Sequence, residues 1–365
     1  MLILWASMGV IMVFAVLMLV WRANRSPAKT PPPVAITTNS ASLTNAALRP
    51  ILSDAGFPTP QTNLLAASPA GIFMPTAAGN PNSGLFGSVR THASGAAQFH
   101  EGIDIAPFQR GHGGKALDEI FAIADGTLAY LNRTPGNSNY GRYLVLLHGD
   151  PLGEVYTLYA HLADFTPGLT PGQRLRRGAV LGRMGNSSSS AISVERSHLH
   201  FEIGLLLNRR FEPWFHAQRL TPDHGIWNGW NLTGVDPLAF YRARDEDSAL
   251  SFARFIDRIP AAFEIILRTR TRPEYFGRYS GLWKGPAETG GAIVVRASEN
   301  GLPLGGRPAT PAEANRLGHD TAQVLSVNAA TLGRNGAHLI ASKNGVWSMA
   351  KGGEQWRQIL LYPQP

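Results

Sequence analysis

Seven consecutive residues, Ser197-His198-Leu199-His200-Phe201-Glu202-Ile203, alternate polar and apolar without a break. A period of two is that of a strand with one face buried, so Leu199, Phe201 and Ile203 belong to a core while His198, His200 and Glu202 share the opposite face. Two imidazoles two residues apart on a strand can act on one centre, and from Gly71 onward the chain reads as short β-rich runs cut by Gly, Pro and Asn. A second run, Phe99-His100-Glu101-Gly102-Ile103-Asp104-Ile105, repeats the arrangement. Read as one strand, it puts His100, Gly102 and Asp104 on one face, with the glycine leaving room for an ion, and Phe99, Ile103 and Ile105 on the other. In a third run, Thr157 to Leu162, the same period points Tyr159 and His161 the same way.

The chain has 365 residues and no cysteine, so any metal must be held by nitrogen and oxygen. Its 39 Gly and 26 Pro suit a loop-rich β protein, and its formal charge of +8 favours anionic partners. Gly113-Gly114 and Gly290-Gly291 lack the spacing and the following Lys-Ser/Thr of a phosphate loop, so no nucleotide site is expected; no nucleic-acid partner is expected either. Two histidines and an aspartate leave a metal one position open for water, as in catalytic zinc sites. The same set serves non-haem iron(II) oxygenases, usually as His-x-Asp, whereas here three residues separate His100 from Asp104. Of the other histidines, His148 reads as a capping or supporting residue. His92, His112, His216, His224, His319 and His338 read as surface residues.

Residues 1–21 hold an uncharged apolar run, Leu2 to Trp21, long enough in helix to span about 30 Å of hydrocarbon. It reads as a single transmembrane helix anchored by Trp5 and Trp21, with no basic segment before it and no small-x-small site after it to mark a cleaved signal. Arg22, Arg25 and Lys29 after the helix would, by charge alone, keep the body in the cytoplasm. Residues 22–67, rich in Pro, Ala and Thr and containing Pro31-Pro32-Pro33, read as an extended tether with one short helix within Leu43 to Ala55.

The runs His100 to Asp104, Tyr159-Ala160-His161-Leu162 and His198-Leu199-His200-Phe201-Glu202-Ile203, in that order, resemble the three motifs of the lysostaphin-type (LytM-like) zinc endopeptidases of peptidoglycan. Tyr140-Gly141-Arg142-Tyr143, Pro171-Gly172-Gln173 and Gly185-Asn186-Ser187 agree, and the resemblance covers about residues 71–241. It implies a compact, mainly antiparallel β domain over 68–245 whose groove holds Zn2+ at its floor. It makes His100, Asp104 and His200 the zinc ligands and His161 and His198 the catalytic pair; Glu202, which shares the strand face of His200, is expected to orient it. Such an enzyme hydrolyses peptide bonds in bacterial peptidoglycan. Its place is a single-pass anchor in the cytoplasmic membrane with the catalytic part outside, whatever the flanking charges suggest. The alternative is a non-catalytic wall-binding or amidase-regulating module of the same fold, and a regulatory protein partner is conceivable in either case. Ser197 stands where proline often precedes the His-x-His, Ala191 to Arg196 resemble an insertion, and Asn208 to Asn231, with Trp214, Trp227 and Trp230, form a longer tail that lines or neighbours the groove.

Residues 246–365 carry no resemblance and read as a separable α+β accessory module. Phe263 to Leu267 and Ala292 to Arg296 are expected strands, Thr310-Pro311-Ala312-Glu313 starts a helix, and Leu339-Ile340, Val346-Trp347 and Trp356 to Tyr362 make a small β-meander.

Overall fold

The computed structural model describes residues 50–91, 97–220, 224–247 and 249–363. The expected membrane helix and most of the expected tether lie outside the described residues. No helix among the described ones is long and apolar enough to cross a membrane. Residues 50–67, assigned to the tether from their composition, are packed: Ile51, Ala55 and Leu64 are buried, and the Gly56 amide donates to Ile123 O. Sparse but well-spaced apolar residues suffice to dock this stretch.

Twelve strands carry the first part of the structure: β1 (Val89–Thr91), β2 (Ala97–Phe99), β3 (Ile103–Ile105), β4 (Glu119–Phe121), β5 (Gly126–Asn132), β6 (Tyr143–Asp150), β7 (Gly153–Ala160), β8 (Leu162–Phe165), β9 (Arg174–Leu175), β10 (Val180–Met184), β11 (Leu199–Leu206) and β12 (Leu232–Val235). All their pairings are antiparallel, as expected for this part of the chain. The main sheet runs β12-β11-β7-β6-β5-β9, and β3 pairs with the first half of β11 along the edge that β12 borders further on. A smaller sheet, β4-β10-β8, shares a core with one face of the main sheet through Ile120, Leu162 and Leu181 against Leu144, Tyr159 and Phe201. Tyr143, Val145, Tyr156 and Leu158 line the other face, under Trp227 and Leu232. Every residue of β11 is therefore buried, polar ones included.

Two local readings need correction. The run 99–105 is not one strand: β2 ends at Phe99 and β3 begins at Ile103. Gly102 does not reserve space for an ion either. A Cβ there would sit 2.4 Å from Phe201 O, so glycine is what lets β3 close against β11.

The remaining strands are β13 (Phe263–Arg268), β14 (Ala292–Ala297), β15 (Pro303–Pro308), β16 (Ala322–Val327), β17 (Ile340–Lys343) and β18 (Val346–Met349). The order β15-β14-β13-β16 makes a four-stranded antiparallel sheet, and β17-β18 a hairpin. The helix Pro311–Arg316 starts with the expected capping box between Thr310 and Glu313. Trp356 to Tyr362, expected as a strand, lies mostly in the helix Lys351–Leu361. Its Trp356, Ile359 and Leu360 follow i, i+3, i+4 and bury one helical face. Gly353 lies inside this helix, where a Cβ would meet Leu339 O at 1.9 Å.

Residues Ala47–Pro365 form one compact unit with a continuous core, in which Phe240 and Tyr241 join Phe252, Phe255, Ile265 and Tyr275. Buried polar groups cross the 245/246 position as well. Asn208 Nδ2 donates to Ile359 O at 2.7 Å and Tyr362 O at 2.6 Å, and Arg278 Nη2 donates to Leu206 O at 2.7 Å.

Candidate metal centre

Cross-strand register brings the histidine runs together. His200 on β11 lies opposite Asp104 on β3 and opposite Ala160 on β7, directly before His161. His100 reaches in from the turn before β3. Among the described residues, His100, Asp104 and His200 form a group of three whose ligand atoms lie within 4.8 Å of one another. His100 Nε2 is 3.1 Å from Asp104 Oδ1 and 3.1 Å from His200 Nδ1, which is itself 2.9 Å from Asp104 Oδ1. His198 Nε2 approaches the same oxygen at 3.6 Å. The rings of His161 and His198 stand 4.6 Å apart, and His161 lies 6.0 Å from His200.

Partners on the far side of each ring set the direction of its free lone pair. His100 Nδ1 faces Leu85 O at 2.9 Å, His161 Nδ1 faces Ser187 O at 2.8 Å, and His198 Nδ1 faces Arg196 O at 2.7 Å. A carbonyl only accepts, so each of these nitrogens carries the proton and each Nε2 points its lone pair inward. His200 has the opposite orientation: Nε2 donates to Glu202 Oε1 at 2.9 Å, leaving Nδ1 for the centre. Glu202 is fully buried and is held by Tyr140 Oη at 2.7 Å and Tyr156 Oη at 2.9 Å. That chain of donors is how a metal-binding histidine is usually oriented.

Charge follows the same geometry. Burial opposes ionisation of Asp104, but His100, His198 and Arg90 outweigh it and hold the carboxyl well below the usual carboxylate range. Burial pulls His100 down to about 4, pulls His198 down, and together with His198 and His200 holds His161 well below an ordinary imidazole. Burial would also lower His200, yet its bonds to Asp104 and Glu202 push it up to about 9. Half-buried Glu101 is pushed up to about 7 by burial and by the charge of Glu202. A protonated His200 points Nδ1–H at Asp104 Oδ1; once that proton leaves, lone pairs of His100, His200 and the buried carboxylate converge on one point and repel one another unless a cation lies between. The donor set is nitrogen and oxygen, and it fits zinc.

The five residues singled out from sequence, with Glu202, thus meet at one point. Their approach differs at His161. Alternation assigned it the face of Tyr159, but Tyr159 packs on Phe201 in the core and donates no atom to the centre. His161 has φ 62° and so leaves the strand's alternation, turning its ring to His198. Ser187 holds that turn: its Oγ donates to Leu162 O at 2.7 Å and accepts from the Arg142 amide at 2.8 Å. Gly141, at φ +64°, makes the approach feasible, since a Cβ there would lie 2.0 Å from Ser187 O. Of the three tail tryptophans, Trp214 and Trp227 are buried and Trp230 is 48% exposed. His148 and His224, read as a capping and a surface residue, are both buried. Arg90, Tyr140 and Tyr156 were not singled out as site residues, because their contacts with the centre join residues 14 to 62 positions apart.

Residues 98–212, which include all five, match the model of peptidase family M23. No curated protein matches the chain significantly. Among solved structures, a zinc containing peptidase from Vibrio cholerae is 22% identical over 36% of this chain and 35% of its own length, with a TM-score of 0.24. The catalytic domain of the antimicrobial peptidase lysostaphin from Staphylococcus simulans is 17% identical over 44% of this chain and 89% of its own length, with a TM-score of 0.28. A mutant catalytic domain of the prophage-encoded M23 protein EnpA from Enterococcus faecalis is 18% identical over 37% of this chain and 82% of its own length, with a TM-score of 0.25. The chain therefore spans about a third of the length of the Vibrio cholerae structure.

Proposed function

We propose that this chain, whose residues 98–212 match the model of peptidase family M23, is a zinc-dependent endopeptidase that hydrolyses peptide bonds in bacterial peptidoglycan. The observation that carries this reading is the inward convergence of His100 Nε2, Asp104 Oδ1 and His200 Nδ1 beside the pair His161 and His198. Bound there, zinc supplies Lewis-acid activation of a water and of the scissile carbonyl.

The chain's own residues do the rest. His161 and His198 each commit Nδ1–H to a backbone carbonyl, which fixes both rings and leaves both Nε2 atoms bare. Burial keeps both neutral near pH 7, so either can take a proton from the attacking water. Once protonated, the same Nε2 becomes a donor, to the developing oxyanion or to the leaving amine. Two such rings in contact allow one to hold the proton while the other steadies the oxygen. Asp104 and His200 stay in place through Arg90 and Glu202.

Purified protein is expected to hold one zinc per chain and to release muropeptides with new amino and carboxyl ends from isolated sacculi, read by mass spectrometry. A chain that holds zinc and binds sacculi but leaves every peptide bond intact would instead be a wall-binding or amidase-regulating module of the same fold. We also place the catalytic part outside the cytoplasmic membrane, tethered by the uncharged run Leu2 to Trp21, because the substrate is absent from the cytoplasm. A reporter fused after Pro365 that works only in the cytoplasm overturns that placement.

A further inference from the structure

Arg90 sits on β1, ten residues before His100, and its guanidinium touches the centre from behind. Nη2 donates to Asp104 Oδ2 at 2.5 Å, and Nη2 and Nε both donate to Ser83 O, at 2.5 and 2.9 Å. The same Nη2 lies 3.1 Å from His100 Nδ1, which faces Leu85 O. The two oxygens of Asp104 are thereby divided: Oδ2 belongs to the arginine, and Oδ1 alone faces His100, His198 and His200.

The support behind Arg90 is itself fixed. Ser83 belongs to the turn Pro81–Gly84, which Asn80 caps, and its Oγ accepts from the Thr76 amide at 2.7 Å and donates to Asn80 O at 2.6 Å. Gly84 permits this turn to lie against the preceding segment, since a Cβ there would meet Met74 O at 2.7 Å. On the strand side, Arg90 pairs with Gln98, so β1 is held in register with the residues leading into His100. A rigid fork between a carbonyl and a carboxylate fits arginine better than lysine, whose ammonium is a single point.

We propose that Arg90 is a positioning residue of the metal centre: by occupying Oδ2 it makes Asp104 a one-oxygen ligand and keeps a fourth position on the cation open. Without it, the carboxylate is free to turn both oxygens to the metal and fill that position. The inference rests on the metal-centre reading above, yet the two fail in different ways. Wild-type chain that binds neither zinc nor cobalt(II) overturns both. Wild-type chain that binds them, beside an Arg90→Ala chain that behaves identically, overturns this one alone.

The test uses the full chain, with zinc affinity measured by competition against a chromophoric chelator and coordination read from the visible spectrum of the cobalt(II)-loaded protein. Arg90→Ala is expected to lose about 10 to 100-fold in zinc affinity and to show a weaker cobalt(II) band, as a higher coordination number gives. Its metal-free unfolding midpoint is expected to fall, since buried Asp104 loses a charged partner, so the cobalt(II) spectrum is the readout that separates positioning from stability. Arg90→Lys, which keeps the charge but not the fork, should recover part of both signals. An affinity loss that only parallels a loss of metal-free stability, with an unchanged cobalt(II) spectrum and no recovery in Arg90→Lys, assigns Arg90 a purely structural role and overturns the proposal. Should Arg90→Ala fail to fold, Arg90→Lys against wild type decides: a weakened band and lower affinity support the assignment, and identity in both overturns it.

Discussion

Each side chain of the centre keeps one atom for it and commits another elsewhere, so the variants should fail in distinguishable ways. His100→Ala, Asp104→Ala or His200→Ala leaves two protein ligands, too few for a stable zinc site, and metal and muropeptide release should disappear together. His161→Ala and His198→Ala remove proton carriers instead, and should keep near-stoichiometric zinc while the rate falls by at least about 10²-fold. A His198→Ala chain that loses its zinc would reverse the assignment, since its Nε2 stands only 3.6 Å from Asp104 Oδ1. His198, His200 and Glu202 were legible in sequence because a period of two places them on one face wherever the strand lies. The direction of His161 was not, because its φ of 62° breaks that period. His148 offers a separate test. Burial lowers its pKa from 6.5 to about 4, between Asp125 O and Thr157 Oγ1. A folded-state pKa below the unfolded one means stability is fully present above about pH 6.5 and is lost as pH falls toward 4, by up to ~3 kcal/mol. Denaturant titrations at pH 7.5 and pH 5, in the same metal state, should therefore show a smaller pH effect in His148→Gln than in wild type. Equal slopes would remove His148 from the account.

Strand β11 is the element on which everything converges, and its neighbours are set by backbone contact as much as by side chains. Gly102→Ala should show this: the added Cβ, 2.4 Å from Phe201 O, forces β3 away from β11. Two of the proposed ligands, His100 and Asp104, then retreat from the third. The expected cost is about 1 to 3 kcal/mol of stability together with weakened zinc binding, measured by denaturation and by chelator competition. If Gly102→Ala binds zinc as wild type does, β3 and β11 are not the clamp they look like. Sequence shows a glycine between a histidine and an aspartate, and the inviting inference is empty space. Only the paired strand reveals that the space is already filled. The helix Lys351–Leu361 was hidden for a related reason, since Gly352-Gly353 resembles a turn by composition, whereas Gly353 serves the close approach to Leu339 O. Where turn chemistry and periodicity agreed, as at Thr310 to Glu313, the element was legible.

At the scale of the whole molecule, the contacts across residue 245 decide how the last third of the chain behaves. Composition changes after the charged stretch Arg242 to Asp247, and that alone suggests a second module. The packing is of another kind. Phe240 meets Phe252 and Phe255 at ring distances of 6.3 and 6.0 Å, Tyr279 Oη donates to Glu154 O at 3.0 Å, and Asn300 Nδ2 donates to Gly234 O at 2.9 Å. Strand β12, which ends one residue after Gly234, borders β11, so the attachment reaches the sheet that carries His200. Removing the last third lets water reach these carbonyls, so the cost falls on the shared core: Phe240 and Tyr241 lose the apolar cover of Phe252 and Phe255, a loss a marginally stable fold does not spare. A chain ending at 245 should accordingly melt earlier and expose apolar surface to a hydrophobic dye. The sharper experiment keeps every contact and breaks only the backbone. With a protease site inserted between Asp247 and Ala249, the cleaved full-length protein should elute as one species in native buffer, with zinc retained, and separate only in denaturant. Should the halves part on gel filtration while residues up to 247 keep their zinc and their melting temperature, the last third is an independent module, and the continuous core across the junction contributes little to holding the centre together.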